Sequence, residues 1–592
     1  MNYTTEYLIE NKNSFPNEPA LSVKIDDEWS TLTWLEYYEY VVKIAKSLIG
    51  YKLNVSDKGA IYSYNRKEWF GCYSAMQMLN CVSVAVYHTS SPSEIEWIVG
   101  NSDSKIIFVG HNPNDNGEND KMPINRLIAI IDKLPDIDKI VLMGDDVASV
   151  NHEKIINWNE FIAKGNNISD DEVEARMKTI NGDDTSSLIY TSGTTGNPKG
   201  VELTHNNFKI ELDSVSDVLK FDQGDRYVSW LPLAHVFGQL VDNHYWVRRA
   251  LHMSIVDSPL NTVDYAKEVQ PHLFISVPRI YEKVYSNLKA AIETKAILKI
   301  GLKIPLLSSI FKKKLRQAAG FGSNRFSISG AAPINPKILE FFHYLGIPIY
   351  EGYGMTENTA GISINYGGGN KIGSVGKCMP FFDLKIASDG EVLIKGDNVM
   401  KGYYKNPKAT EKTIIDGWLQ TGDVGKIDSD GYLFITGRKK EIYVSSSGKN
   451  VAPLVIEESM KSIPIVSQCF LVGDNRKFCS ALITLDMSVI LRDYIGVDVN
   501  EIPKDPSKQN EMILANNKKL SDYTDNQDIF EKVSDDIHKL NQNFSSPEQV
   551  KKFSILPRDF SIDDGELTPT LKIRRKQIND NWASVIEDMY SE

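Results

Sequence analysis

Three short apolar runs, each closed by a helix-breaking residue, most restrict the folds open to this chain. Lys105-Ile-Ile-Phe-Val109 ends at Gly110, Lys139-Ile-Val-Leu-Met143 at Gly144, and Leu273-Phe-Ile-Ser-Val277 at Pro278. Runs this short, alternating with helical segments, predict parallel strands buried on both faces and hence a doubly wound α/β body. With 592 residues the chain is too long for one core at ~100–200 residues per domain. From about Phe382 the pattern changes. Leu384-Lys-Ile386, Glu391-Val-Leu-Ile-Lys395 and Gly431-Tyr-Leu-Phe-Ile435 alternate polar and apolar residues between the turns Asp389-Gly390, Asp416-Gly417 and Asp430-Gly431. This predicts a small antiparallel, barrel-like β subdomain over about 380–437, the last part of a large body of two α/β subdomains spanning 1–437. The charged run Arg438-Lys-Lys-Glu441 then opens 438–592, expected to be a smaller, mobile α+β domain. Asn112–Lys121 and Pro503–Asp528, rich in Asn, Asp and Lys, read as surface insertions.

Composition limits the partners. The chain is 42% hydrophobic and 24% charged, with a net charge of −12, which argues against nucleic acid as a general partner. Its five cysteines are scattered and form no CxxC, as expected of reduced thiols in a cytoplasmic protein. Met1–Phe15 carries Glu6 and Glu10 and no apolar core, so no secretory signal is expected there. No apolar run approaches the ~20 residues of a membrane span, so contact with a membrane is expected to be peripheral, on its inner face. The segment 295–316 suits such a contact. It holds Lys295, Lys299, Lys303, Lys312, Lys313, Lys314 and Arg316, no acid, and interleaved Ile, Leu and Phe. Pro305 breaks it as a single helix. The alternative is an ordinary surface helix pair with a solvated basic face.

The most informative stretch is Tyr190-Thr-Ser-Gly-Thr-Thr-Gly-Asn-Pro-Lys-Gly200, which follows the strand-like Leu188-Ile189. Gly193, Gly196 and Gly200 let backbone N–H groups approach phosphate oxygens. Thr191, Ser192, Thr194 and Thr195 add hydroxyl donors, and Lys199 adds a point charge. The stretch is not a Walker A loop, because Gly193 is followed five residues later by Pro198, and Lys199 by Gly200. A P-loop kinase or GTPase is thereby disfavoured. Taken alone, a flexible Gly/Thr surface turn is the competing interpretation.

The string resembles the signature of the adenylate-forming superfamily, which comprises acyl-CoA synthetases, nonribosomal peptide adenylation domains and luciferases. Further strings in the family's order carry the resemblance over nearly the whole chain. Leu231-Pro-Leu-Ala-His-Val-Phe237 is similar to the second motif, which implies His235 beside the acyl carboxylate. Ser329-Gly-Ala-Ala-Pro333 resembles the adenine-side turn, with Gly330, Ala331 and Ala332 leaving room for a flat base. Tyr350-Glu-Gly-Tyr-Gly-Met-Thr-Glu357 is the next match. By resemblance Glu351, Gly352, Tyr353 and Gly354 line the nucleotide, with Tyr353 stacking on adenine. Thr356 then touches the α-phosphate and Glu357 holds Mg²⁺, a role suited to a carboxylate.

Asp423, in Thr421-Gly-Asp423, falls where the family places an acid on the ribose hydroxyls. Arg438 would reach the same side, Lys440 would be the hinge, and Gly448 would lie on the pantetheine tunnel. The family's adenylation lysine falls on Lys572 in Glu566-Leu-Thr-Pro-Thr-Leu-Lys572, preceded by Leu571 where many relatives have Gly. Val277-Pro-Arg-Ile-Tyr-Glu-Lys283 and the run from Leu315 through Gly330 resemble the long-chain and very-long-chain, "bubblegum" branch. Gln239 stands where some members carry a gating Trp.

The resemblance implies ATP-dependent ligation of a long-chain fatty acid to coenzyme A through an acyl-adenylate, with Mg²⁺ and with release of pyrophosphate and AMP. The nearest rival is a fatty acyl-AMP ligase that transfers to an acyl carrier protein. A catalytically inert lipid- or nucleotide-binding protein is a different class, against which intact Lys572, Glu357 and Asp423 argue.

Overall fold

A computed structural model describes residues 3–591 apart from 113–121, 145–151, 192–196, 367–368, 445–449, 475, 500, 563 and 569–571. The fold is mixed α/β, with a large N-terminal part and a smaller C-terminal domain. An eight-stranded sheet is built on six parallel strands in the order Thr185–Thr191, Val82–Val86, Lys58–Ser63, Ser104–Gly110, Lys139–Leu142 and Ile155–Asn157. Two antiparallel strands, Lys199–Thr204 and Gly402–Tyr403, extend it beyond Thr185–Thr191.

The continuous apolar runs follow from burial on both faces. Side chains alternate across a strand, so Ile106 and Phe108 enter one core while Ile107 and Val109 enter another. Val141 and its neighbours Ile140 and Leu142 divide in the same way.

A nine-stranded sheet holds Leu273–Ser276 between Arg226–Ser229 and Phe326–Ser329, with Ile349–Tyr353 next in line, all parallel. One continuous core joins the two sheets. Its aromatic centre is Trp34, Tyr37, Phe70 and Trp246, with the rings of Trp34 and Trp246 4.9 Å apart. Each such side chain contributes about 1.5–3 kcal/mol by leaving water.

The strands Asp383–Ile386, Glu391–Lys395, Trp418–Ile427, Ile414–Ile415 and Leu433–Arg438 form a separate antiparallel sheet. Gly390 and Gly431 take φ of 86° and 85° in its turns, a conformation that costs glycine little.

The C-terminal part has its own core. Three strands, Val466–Val472, Cys479–Leu485 and Val550–Ile555, pack with the helices Pro453–Met460 and Gln527–Asn541. The stretch expected as a surface insertion at Pro503–Asp528 is instead seated in this domain. It forms the helix Pro506–Ala515, and Ile513, Leu520 and Tyr523 enter the tail core. Its Asn, Asp and Lys residues concealed these three apolar anchors. Most of Asn112–Lys121 lies outside the described residues. The five cysteines are free thiols, four of them buried. Among the described residues no helix is long and apolar enough to cross a membrane.

Candidate active site

The site lies at the C-terminal ends of the parallel strands, the usual ligand edge of an open α/β sheet. Ser276, Ser329 and Glu351 stand in register across three neighbouring strands. Beyond Ser329 the chain turns through Gly330, Ala331 and Ala332. Ala331 has φ 68°, a region non-glycine residues seldom occupy outside turns and functional sites. A Cβ on Gly330 would sit 3.2 Å from the Phe237 ring, so this turn packs directly on the segment after His235. Ala331 and Ala332 face solvent.

Glu351 accepts from Gly373 N–H at 3.3 Å and from the Ile334 amide, and burial pushes its carboxyl up to about 7. After Gly352 and Tyr353 comes a forced close approach, since any side chain at Gly354 would collide with the Ala360 carbonyl. The chain turns back at Thr359 and Ala360, with φ of 57° and 93°. Buried amides hold this strained turn. Asn358 donates to Gly361 O at 2.7 Å and accepts Met355 N–H at 2.7 Å. Asn398 donates to Glu211 at 3.0 Å and to the Asn358 carbonyl at 3.1 Å. Thr356 and Glu357, both buried, ride on this braced turn.

Glu357 Oε1 accepts the Tyr403 hydroxyl at 2.7 Å. The Lys199 ammonium lies 3.9 Å from the centre of the same tyrosine ring. Tyr403 thus couples the acid to the cation, and its strand pairs with the strand that begins at Lys199. Thr191 and Lys199 are paired in register, so they close the base of the Gly/Thr loop. Ser192, Gly193, Thr194, Thr195 and Gly196 lie outside the described residues, as does Gly448. Burial, by stripping water from the ammonium group, holds the Lys199 pKa below its ordinary value; Glu357 opposes that shift and Lys440 adds to it. Lys440 is therefore within electrostatic reach of Lys199, whereas Lys439 is pinned to Asp389 and Glu391 at 2.6 and 2.7 Å.

Asp423 is buried between two partners. Its Oδ2 accepts the Tyr353 hydroxyl at 2.7 Å, and its Oδ1 faces Arg438 Nε at 3.0 Å. Among the described residues these bonds engage two of the four lone-pair positions of the carboxylate. Burial raises its pKa, against the pull of Arg438, Tyr353 and Lys572. Lys572 comes from the C-terminal domain yet lies within electrostatic reach of Asp423, Glu357, Arg438 and His235. Its side chain is accessible to water but surrounded by protein. Desolvation lowers its pKa first and Arg438 second, against Asp423 and Glu357.

His235 Nδ1 accepts Phe237 N–H at 3.2 Å. Burial, and then Lys572, bring the His235 pKa down to about 3. The ring is therefore neutral and carries its proton on Nε2, as a donor.

Lys572 sits at the base of a hairpin. Its N–H donates to the Thr568 hydroxyl at 3.0 Å and its carbonyl accepts Thr568 N–H at 2.8 Å. Glu566, with no exposed surface, anchors the hairpin through Arg558 at 2.7 and 2.9 Å and Trp582 Nε1 at 2.8 Å. One helix of the body, Pro92–Ser102, touches both sides of the cleft. Trp97 Nε1 donates to Pro198 O at 2.9 Å, and Glu94 pairs with Arg574 at 3.2 Å.

Geometry thus gathers His235, Tyr353, Glu357, Asp423, Arg438, Lys199 and Lys572 around one cleft. Sequence reasoning missed Tyr403, Glu566, Asn398 and the Glu94–Arg574 pair. The string Lys401-Gly-Tyr-Tyr-Lys405 was a usable signal for Tyr403. An isolated Glu and Arg 480 positions apart offer none.

Glu351 supplies a pH test. Its carboxyl binds a proton up to about pH 7 in the fold but only to about 4.5 when unfolded. The native state therefore holds the extra proton between those values, and stability falls as pH rises through that window. In Glu351→Gln, which keeps an acceptor and cannot ionise, denaturant titrations across the window are expected to lose this slope.

Comparison with known proteins agrees with this architecture. Residues 8–404 match the family described as AMP-binding enzyme. Residues 440–493 and 506–592 match the AMP-binding enzyme C-terminal domain. The chain is 31% identical to the long-chain-fatty-acid–CoA ligase FadD15 of Mycobacterium bovis, over 99% of this chain and 96% of that protein. It is 29% identical to the long-chain-fatty-acid–CoA ligase ACSBG2 of Xenopus laevis, over 98% of this chain and 83% of that protein. Among solved structures, the anthranilate CoA ligase AuaEII in complex with anthranoyl-AMP superposes with a TM-score of 0.74 at 18% identity, covering 99% and 98% of the two chains. A fold of two α/β sheets ending at one charged cleft, with a C-terminal lysine delivered into it, and matches over almost its full length make this chain a member of the AMP-binding enzyme family.

Proposed function

We propose that the chain ligates a long-chain fatty acid to coenzyme A at the expense of ATP, in two steps through an acyl-adenylate. The single observation that carries this is that Lys572 lies within electrostatic reach of Asp423 and Glu357, since a cation brought from a separate domain suits charge developing on phosphate. The names of the relatives support the acyl class and the CoA acceptor.

In the first step a carboxylate oxygen of the fatty acid attacks the α-phosphorus of ATP. A new P–O bond forms, the bond to the β-phosphate oxygen breaks, and pyrophosphate leaves. Lys572, Lys199 and the Gly/Thr loop would stabilise charge on the phosphate oxygens. The neutral His235 would donate Nε2–H to the acyl carboxylate and orient it. Tyr353 would pack on adenine beside the turn Gly330–Ala332, and Asp423 would accept from the ribose hydroxyls with its free lone pairs.

Glu357 fits a Mg²⁺ ion held in the usual way, by one or two carboxylates with substrate phosphates and water. Mg²⁺ bound there would supply charge neutralisation between phosphate oxygens. Tyr403 orients that carboxylate from one side and leaves its second oxygen unengaged in the bonds described.

In the second step the thiol sulfur of CoA bonds to the acyl carbonyl carbon, the bond from that carbon to the phosphate oxygen breaks, and AMP departs while the thiol proton is released to water. Lys572 would obstruct the thiol, so the domain 438–592 would rotate away from the body 1–437, with its β subdomain at 380–437. A hinge near Lys440 is favoured because Lys439 is fastened to the body, so rotation is most easily absorbed after it. Gly448 would then line the pantetheine path. Long-chain acids partition into bilayers, and 295–316 is the surface proposed to meet one.

ATP–pyrophosphate exchange across a panel of carboxylic acids tests the activity, with exchange expected to depend on long-chain acids. Lys572→Ala should lower exchange by about 10²–10³-fold while sparing conversion of supplied acyl-AMP to acyl-CoA. Equal loss in both halves would refute the role. Transfer to a holo carrier protein in preference to CoA would instead favour the acyl-AMP ligase alternative.

The Glu94–Arg574 pair is expected to hold the adenylating arrangement. Glu94→Gln, which keeps the helix cap, and Arg574→Gln should each slow adenylation about two- to fivefold, the worth of a partly exposed ion pair. The double variant should lose no more than either single one, and thioester formation from supplied acyl-AMP should be spared in all three.

A further inference from the structure

We infer that the helical hairpin 296–318 is a docking surface for bilayers with anionic headgroups. Its helices are Ala296–Gly301 and Pro305–Ala318. Gly301 allows the Phe311 ring to lie against the first helix, since any Cβ there would collide with that ring. Leu298 and Leu302 pack on the body core, and Leu315 and Ala319 are buried in it. The inner faces are therefore satisfied.

The outer face is not. Ile297, Ile300, Ile304, Leu307 and Ile310 are 69, 60, 41, 41 and 51% exposed. Isolated apolar residues on a surface need no explanation, but five within 297–310 form a patch that does.

Charge selects the occupant. Lys295 through Asn324 contains seven basic residues and no acid, in a chain whose net charge is −12. Among the described residues, Lys295, Lys299, Lys303, Lys313 and Lys314 make no ion pair. Lys312 lies 3.6 Å from the Tyr344 ring centre, and Arg316 holds the hairpin to the body by donating to Leu345 O at 2.9 Å. Exposed isoleucines ringed by lysines match an anionic interface, where the apolar side chains enter the acyl boundary and the ammonium groups stay with the headgroups. A second copy of the chain is a poor occupant. A two-fold contact would set the same unpaired lysines against each other.

Topology gives the surface a purpose. The hairpin lies in the connection from Leu273–Ser276 to Phe326–Ser329, adjacent strands that run on into Val277 and Gly330 beside the cleft. Docking would hold this side of the enzyme against the phase in which long acyl chains reside. That supply role rests on the acyl-CoA ligase activity proposed above; the docking itself does not.

Cosedimentation of the full chain with phosphatidylcholine vesicles, with and without phosphatidylglycerol, tests it. Binding is expected only to the phosphatidylglycerol vesicles and should weaken with added salt. The triple variant Lys299→Gln, Lys303→Gln, Lys313→Gln should lower the partition coefficient on the order of a hundredfold, about fivefold per lysine. A Trp placed by Ile300→Trp should shift its emission to the blue on those vesicles. Equal binding to both vesicles, no binding to either, or a concentration-dependent dimer abolished by the triple variant would overturn the inference. ATP–pyrophosphate exchange with detergent-dispersed acid should be unchanged in the triple variant. If the unsubstituted chain binds no vesicles yet catalyses exchange, docking alone fails, whereas absence of exchange with every acid fails the activity alone.

Discussion

Like charges packed into one cleft govern the rest of this structure. Lys199, Arg438, Lys440 and Lys572 converge where, among the described residues, Glu357, Asp423 and Glu441 are the acids that act on them. Crowding and mutual repulsion lower the pKa of both Lys199 and Lys572, so these cations are held at a cost. A bound triphosphate would supply the missing negative charge, and each cation would then gain a strong partner. The same balance gives the C-terminal domain a reason to move. Once pyrophosphate has left, less anionic charge remains to hold Lys572 in place, and the partly exposed Glu94–Arg574 pair is a weak tether.

Rigidity around the cleft is supplied by groups that take no part in the proposed chemistry. Asn358, Asn398 and Glu211 fix the turn that carries Thr356 and Glu357. Glu566 fixes the hairpin that carries Lys572. The left-handed backbone at Thr359 and Ala360 is sustained by the first set of bonds, as strained turns at functional sites commonly are. Between the two, helix Pro92–Ser102 touches Pro198 at one end of the Gly/Thr loop and Arg574 on the tail.

What could be read from sequence divides along a physical line. Contiguous strings, such as Tyr350–Glu357, announce a local backbone shape and a local set of functional groups together. The buried strands were legible because burial on both faces leaves a continuous apolar run, as in Lys105–Val109. Contacts between distant segments left no such trace. Tyr403 reaches Glu357 only because two short strands pair. The tail stretch 503–528 looked polar because three buried apolar residues suffice to seat it.

The central claim is that Lys572, though water can reach it, belongs electrostatically to the nucleotide cleft of Asp423, Glu357 and Arg438. Limited acylation of the lysines, quantified by mass spectrometry with and without ATP and Mg²⁺, tests it most directly. With its pKa held below the ordinary value, Lys572 should react faster at neutral pH than the exposed Lys313, and nucleotide should protect it while leaving Lys313 unaffected. Equal reactivity of the two lysines, indifferent to nucleotide, would contradict the account.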